Sequence, residues 1–397
     1  MTLFGAPFEF FIFAVTLLGV AVLHKRALWA SVSGLAATVI YKLATLGVGA
    51  GAGFLGAHLT HEWAELVNLF LLLLGFAVLS NQFELSNIPD MMPRFLPDNW
   101  TGGLALLAMV FVLSTVLDNI AGAVIGGVIA RHVFRTVSIG FLASIVAASN
   151  AGGAGSVLGD TTTTMMWISG ISPLEPLHAF IAAFAAFAVF GVAGTLHQHR
   201  IQPIIKHETP THPPVDWGRG AVVLVLLAAL LATNLAGKSL GGEVQKSLPL
   251  LGLGLWAAII LTAFARKPQW SAAAGATRGA VFLVALVATA SLMPVGDLPD
   301  PSWKSTLGLG VLSAVFDNIP LTALALKQGG YDWGLLAFAV GFGGSMTWFG
   351  SSAGVALSNV YPQIRTVEGW LKEGWAIPVA YVVGFFVLLW TMGWNPT

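Results

Sequence analysis

The sequence predicts an all-α polytopic membrane protein made of two inverted-topology repeats, with about ten transmembrane spans, two re-entrant hairpins and two broken helices. Three observations predict it. The composition is 56% hydrophobic and 9% charged with a mean hydropathy of +0.82, far outside soluble averages. An internal repeat joins the two halves, and the basic residues fall unevenly between alternate loops. The formal net charge is zero, which leaves no electrostatic footprint for nucleic acid. Cysteine is absent, so disulfides and thiolate chemistry are excluded.

A spanning helix needs about 20 apolar residues, and ordinary candidates lie near 7–24, 27–49, 64–81, 178–196, 219–237, 249–265, 274–293 and 373–392. The first, in "MTLFGAPFEFFIFAVTLLGVAVLHKR", is expected to be a retained span: the basic pair follows the apolar run and no small-residue cleavage site is evident. Residues 102–133 and 304–328 are different, each being two short apolar arms around a polar tip, "LDNI" and "FDNIP". An arm of about 16 residues rises only about 24 Å, so each pair is expected to enter and leave on the same side. Residues 136–170 and 331–361 are too long and too rich in Gly, Ser and Thr for one regular helix. Each predicts a span broken at mid-membrane.

The repeat supports this parsing. "VLSTVLDNI" at 112–120 matches "VLSAVFDNI" at 311–319 in seven of nine positions, and "GGAGSVLGDT" at 152–161 aligns without gaps to "GGSMTWFGSS" at 343–352. Ser156 then corresponds to Thr347, Asp160 to Ser351 and Thr161 to Ser352. The expected division is a first repeat over 1–196, a polar, Pro-containing linker over 197–217 and a second repeat over 218–397. Each half makes five crossings, so the second half is inverted. With both termini outside, thirteen Lys and Arg fall on the inner side and four (Lys238, Lys246, Lys304 and Lys327) on the outer, Lys42 lying within a span. That asymmetry is the one expected of cytoplasmic loops. The expected setting is a bacterial inner membrane, with lipid as the surrounding partner.

Irregular backbone at membrane depth is tolerated only where it is buried in protein or lines a cavity, so "SNAGGAGSVLGDTTTTMMW" at 149–167 reads as half of a binding site. Gly152, Gly153, Gly155 and Gly159 permit an unwound path and close approach to a solute. The Asn150 amide and the hydroxyls of Ser156, Thr161 and Thr162 are hard oxygen ligands, suited to sodium or to hydrogen bonds with a small anion. Thr347, Ser351 and Ser352 are the corresponding polar groups of the second break.

Three acids lie near the midplane, and an ionisable residue at that depth is a functional candidate by default. Asp118 and Asp317, at the hairpin tips, have two open readings: ion binding, or capping of the returning arms. Asp160 is singled out because its counterpart is Ser351, so symmetry does not require it. A sodium site would draw on Asn150, Ser156, Asp160 and Thr161.

Other candidates carry less. Lys42 reads as a snorkelling lysine rather than an intramembrane counter-charge. "HLTHE" at 58–62 lacks the helical spacing of a zinc motif and reads as an extracellular loop. His197, His199, His207 and His212 read as solvated linker residues rather than pH sensors. The Gly-rich stretch lacks the Lys-Ser/Thr ending of a phosphate loop. Neither a nucleophile with its base nor a metal cluster is present to suggest an enzyme, and no organic cofactor is implied.

With these motifs on the page, the chain resembles the ion transporter superfamily, and within it the NhaD-type sodium/proton antiporter branch. "LSTVLDNI", "SNAGGAGSVLGDTTTTMMWISG", "LSAVFDNIP" and "GFGGSMTWFGSSAGVALSN" carry the resemblance, and the order of elements fits from about residue 64 onward. The resemblance implies a scaffold of outer spans, a transport domain of hairpins and broken spans, and a homodimer. It implies a site lined by Asp118, Asn119, Asn150, Ser156, Asp160, Thr161, Thr162, Asp317 and Asn318, with sodium and protons as the coupled ions. Two departures bear on the substrate: "IAGAVIGG" follows the first Asp-Asn where antiporters usually have threonines, and Gly155 replaces a bulky residue. A sodium- or proton-coupled carrier of dicarboxylates, or an arsenite-type carrier, is the alternative that such a roomier cavity would suit.

The topology is testable in this cysteine-free chain. A single cysteine at Ser302 is expected to react with an impermeant maleimide from outside, and one at Thr209 only from inside. Inside labelling of Ser302 overturns the inverted arrangement.

Overall fold

The computed structural model describes residues 2–3, 6–23, 26–91, 96–204, 214–239 and 247–397. The regular secondary structure of these residues is helical apart from a two-residue antiparallel ladder that pairs Thr2 with Pro7 and Leu3 with Ala6. Among the described residues, five helices are long and apolar enough to cross a membrane: Ala27–Leu46, Val48–Glu84, Pro176–Ile201, Trp217–Gly237 and Trp270–Ser291. A sixth is made by Val367–Glu373 and Ala376–Met392, bent by 62° where they meet. The spans expected at 7–24 and 249–265 are shorter helices, Phe8–Val22 and Leu250–Thr262.

The chain divides into two compact units, and each draws on both halves of the sequence. The first comprises residues 1–88 and 215–298. In it, Trp270–Ser291 packs along Val48–Glu84 and Ala27–Leu46, and Leu250–Thr262 packs on Val48–Glu84. Buried polar groups pin this last contact: Asn68 Oδ1 accepts the Gly252 amide at 2.6 Å and Trp256 Nε1 donates to the Leu71 carbonyl at 2.9 Å.

Two expectations are corrected here. The helix Val48–Glu84 runs through "HLTHE", so 58–62 is not a loop. The stretch contains glycines but no proline, and a helix at membrane depth keeps its own peptide groups satisfied. His58 Nε2 sits 2.9 Å from Ser291 Oγ. Nor does Lys42 snorkel. Its Nζ is 2.8 Å from Glu9 Oε1, with both side chains only 12% exposed, and it lies 5.7 Å from the centre of the Phe54 ring. A nearby opposite charge stabilises a buried ammonium better than a stretched stem does.

The second unit comprises residues 89–214 and 299–397. It holds two helical hairpins, with arms Trp100–Ser114 and Asn119–Val133 in the first and Trp303–Ser313 and Asn318–Gln328 in the second. It also holds two broken helices. The first runs over Ile139–Ala154, unwinds, and resumes over Thr161–Ile168. The second runs over Trp333–Gly343, passes through a 3₁₀ turn at Gly344–Met346, and resumes over Ser352–Val360. The leading arms Gly140–Ala154 and Trp333–Gly343 are buried on every side, which explains why their sequences show no polar face.

Contacts recur at aligned positions of the two halves. A Cβ on Gly152 would strike the Phe111 carbonyl, and one on the corresponding Gly343 would strike the carbonyl of Gly310, which corresponds to Phe111. Ser156 Oγ donates to the Thr115 carbonyl, and Thr347 Oγ1 donates to the equivalent Ala314 carbonyl. The helix Ala179–Ile201 extends into the segment assigned to the linker and carries His197 and His199; His207 and His212 lie outside the described residues. His197 Nε2 is 3.4 Å from Glu373 Oε2, which also accepts the Gly140 amide at 3.1 Å, so this histidine is not simply solvated.

The Glu9–Lys42 pair makes a stability prediction. Lys42→Met leaves Glu9 without its partner and is expected to lower stability in detergent by about 2 kcal/mol, read as a lower Tm. Glu9→Gln combined with Lys42→Met is expected to recover most of that loss.

Candidate functional site

The site lies in the second unit, where the two hairpin tips meet the two breaks. Each tip is built alike. Asp118 Oδ1 accepts the Ile120 amide at 3.3 Å and Asp317 Oδ1 accepts the Ile319 amide at 3.2 Å, so both aspartates cap their returning arms. Of the two readings open at the sequence level, the capping geometry is present at both tips. Asp317 Oδ2 also accepts from Ser352 Oγ at 2.9 Å. The caps aim the following residues, Asn119 and Asn318, inward, and both are buried.

Between those two amides lies Asp160, 2% exposed. Asn318 Nδ2 donates to Asp160 Oδ1 at 3.0 Å and Oδ2 at 3.2 Å, and Asn119 Nδ2 donates to Oδ1 at 3.4 Å. Asn119 Nδ2 is also 3.2 Å from Asn150 Oδ1, and Asn150 Nδ2 donates to Ser345 Oγ at 2.9 Å. Thr161 Oγ1 lies 3.4 Å from Asp160 Oδ1. Although Asp160 stands at the N-cap position of Thr161–Ile168, it makes no capping hydrogen bond with its side chain. The carboxylate is turned to the hub instead. Among the described residues, no ion pair involves Asp160, Asp118 or Asp317.

The unwound path is held by groups the sequence reading did not assign. Thr163 Oγ1 donates to the carbonyls of Ser156 and Asp160, and Thr164 Oγ1 to those of Val157 and Asp160 at 2.8 and 2.9 Å. Two of the four consecutive threonines therefore satisfy the carbonyls that the break leaves without helical partners. The Asn119 amide donates to the Gly159 carbonyl at 3.0 Å, tying the first tip to the first break.

Asp160, Asn119, Asn318, Asn150 and Thr161 are thus brought together. Thr162 also hydrogen-bonds the Asp160 carboxylate, and its Oγ1 lies 3.4 Å from Thr322 Oγ1. Ser156 and Thr347 are engaged with hairpin carbonyls, Ser351 accepts the Gly354 amide as a cap at 3.3 Å, and Ser352 serves Asp317. Ser345 and Thr322 belong to the network but went unassigned. Thr322 could have been found from its position one turn after Asn318. Ser345 carried the same signal as Asp160, a polar residue whose counterpart in the first half, Ala154, is apolar.

An anionic carboxylate surrounded by neutral amides and hydroxyls has two ways to be compensated, a bound proton or a bound cation, and the ligands fit a hard, weakly polarisable ion. Comparison with known proteins points the same way. No family model matches the chain. Sodium/proton antiporter 1 of Arabidopsis thaliana is 27% identical over 81% of this chain and 62% of its own length. The NhaD Na+/H+ antiporter of Vibrio parahaemolyticus is 26% identical over 82% of this chain and 90% of its own length. The chain is similar to these antiporters over most of its length. Sodium/proton antiporter 2 of Arabidopsis thaliana adds 28% identity over 69% of the chain. The chain spans less than two thirds of the length of the first of these relatives, 62%.

The amides make a prediction for the hub. Asn318→Ala removes both hydrogen bonds it gives Asp160, and Asn119→Ala removes one, so both variants should insert normally yet lower cation-driven proton exchange in proteoliposomes. The expected loss is about tenfold or more for Asn318→Ala, from the 1.5–3 kcal/mol typical of hydrogen bonds to charged groups. Wild-type rates in both would assign the tips a purely structural role.

Proposed function

We propose that this protein is a sodium/proton antiporter in which Asp160 carries a proton and a cation alternately. The observation that carries the reading is the buried Asp160 carboxylate, held by Asn119 and Asn318 with no basic residue paired to it among the described residues. A buried carboxylate without a countercharge is costly unless something neutralises it. Here that something is exchangeable. A proton and a Na+ or Li+ ion compete for the same oxygens, and each excludes the other because both neutralise the same Asp160 carboxylate.

Asn119 and Asn318 suit both states. An amide donates through its nitrogen and accepts through its oxygen, so a half-turn of either side chain exchanges a hydrogen bond to the bare carboxylate for a carbonyl ligand to a cation beside it. Asn150, Thr161, Thr162 and Ser156 supply further neutral oxygens. The hairpins and broken helices form the moving part in an alternating-access cycle, the remaining long helices form the membrane scaffold, and the working form is a homodimer in an inner membrane with both termini outside. The matching motifs of the two halves support this, since similar half-structures of opposite orientation would supply inward- and outward-open arrangements of comparable energy.

An organic anion or arsenite carrier fits less well. The two tip amides could bind a carboxylate, but a second anion would then meet Asp160 in a desolvated site, and like charges there repel strongly.

The test is dye-monitored exchange in everted vesicles across pH 6 to 9. Lowering the pH should raise the Na+ concentration needed for half-maximal exchange, by at most about tenfold per pH unit, because each proton bound removes the charge that the cation needs. Asp160→Asn, which keeps the shape but cannot ionise, should abolish exchange while the protein still folds. Undiminished exchange in Asp160→Asn would remove this carboxylate from the mechanism.

A further inference from the structure

Extended two residues upstream, the ungapped alignment of the breaks pairs Asn150 with Gly341. The two halves are therefore unlike at two positions that meet in space: the acid of the first half has a serine counterpart, and the asparagine of the first half has a glycine counterpart. Gly341 lies in the last turn of the buried arm Trp333–Gly343, where glycine is disfavoured relative to alanine. Its surroundings give the reason. A Cβ built there would lie 2.8 Å from Asp160 Oδ2, whereas its next neighbours, Cβ and Cα of Ala154, stand at ordinary distances of 3.6 and 3.8 Å. The space left by the missing side chain is taken up by the carboxylate and by nothing else that crowds it.

We propose that Gly341 is the specificity-determining residue of the cation site: its bare backbone sets the room beside Asp160 Oδ2 and so the size of ion the carboxylate accepts. The inference rests on the antiport reading and deepens it. Because the carboxylate exists in one half and the clearance for it in the other, neither break can build this carboxylate site alone. A methyl at position 341 pushes the carboxylate toward Asn119 and Asn318 and fills the volume beside it. The larger cation then loses more than the smaller one.

Gly341→Ala tests this. The obstructing atom is the free end of a side chain that can rotate, and alanine favours the helix, so the variant is expected to fold. In proteoliposomes the Na+ concentration for half-maximal exchange should rise about tenfold, the low end of the effect one methyl has in a fitted pocket, while that for Li+ changes far less. An unchanged Na+/Li+ ratio overturns the inference with the antiport reading intact. Failure of the wild-type protein to exchange either cation removes the reading and the inference together. Should Gly341→Ala not fold, Asp160→Ala combined with Gly341→Ala is expected to fold as well as Asp160→Ala alone, since the methyl then occupies vacated space; equal failure of the pair places the clash elsewhere and overturns the proposal.

Discussion

The constraint on which the second unit depends is that peptide groups unwound at membrane depth must find their partners inside the protein. At the first break this is met twice over. The Asn119 amide takes the Gly159 carbonyl, and the hydroxyls of Thr163 and Thr164 take the carbonyls of Ser156, Val157 and Asp160. The hairpin tip is therefore not merely near the break; it completes it. The converse also holds, because the hydroxyls of Ser156 and Thr347 satisfy the tip carbonyls of Thr115 and Ala314. Tip and break stabilise each other, and the polar hub sits between them.

Against this common frame, the differences between the halves carry the chemistry. Shared features, such as the capping aspartates and the glycines that admit a carbonyl, hold the backbone. Unshared ones, Asp160, Asn150 and Ser345, join the matched pair Asn119 and Asn318 in the hub. The two similar halves supply matching frames, and the unmatched Asp160 adds a carboxylate to one of them. That division explains why Asp118 and Asp317, which look like functional acids by depth alone, spend a carboxylate oxygen on backbone amides.

The residue spacing made much of this legible before any coordinates. Arm lengths of about 16 residues around an Asp-Asn tip marked both hairpins, and the run of Gly, Ser and Thr marked both breaks. The unmatched acid was visible because the repeat could be aligned across it. Other features were not legible, for identifiable reasons. "HLTHE" is polar enough to suggest a loop, yet His58 is accommodated by Ser291, 233 residues away, and no local pattern reveals such a partner. Lys42 needed Glu9 to explain it, 33 residues earlier. Thr163 and Thr164 were not told apart from Thr161 and Thr162 by sequence, because hydroxyls that ligate ions and hydroxyls that satisfy carbonyls are the same in sequence. Only the direction of each side chain separates them.

Glu9 and Asp160 show how one residue class can serve opposite ends in one chain. Both are carboxylates within apolar helical surroundings, and each would be expensive if left alone. Glu9 is compensated by a covalently tethered cation, Lys42, at 2.8 Å. A tethered partner cannot diffuse away, so that acid is fixed and adds to the fold. Asp160 has amides instead, which moderate the charge without cancelling it. On the proposed antiport reading, what remains uncancelled is met by a proton or an ion from solution that leaves again. Replacing Asn318 by a lysine or arginine would then make the site more stable and inert, because on that reading the weakness of the compensation around Asp160 is what permits exchange.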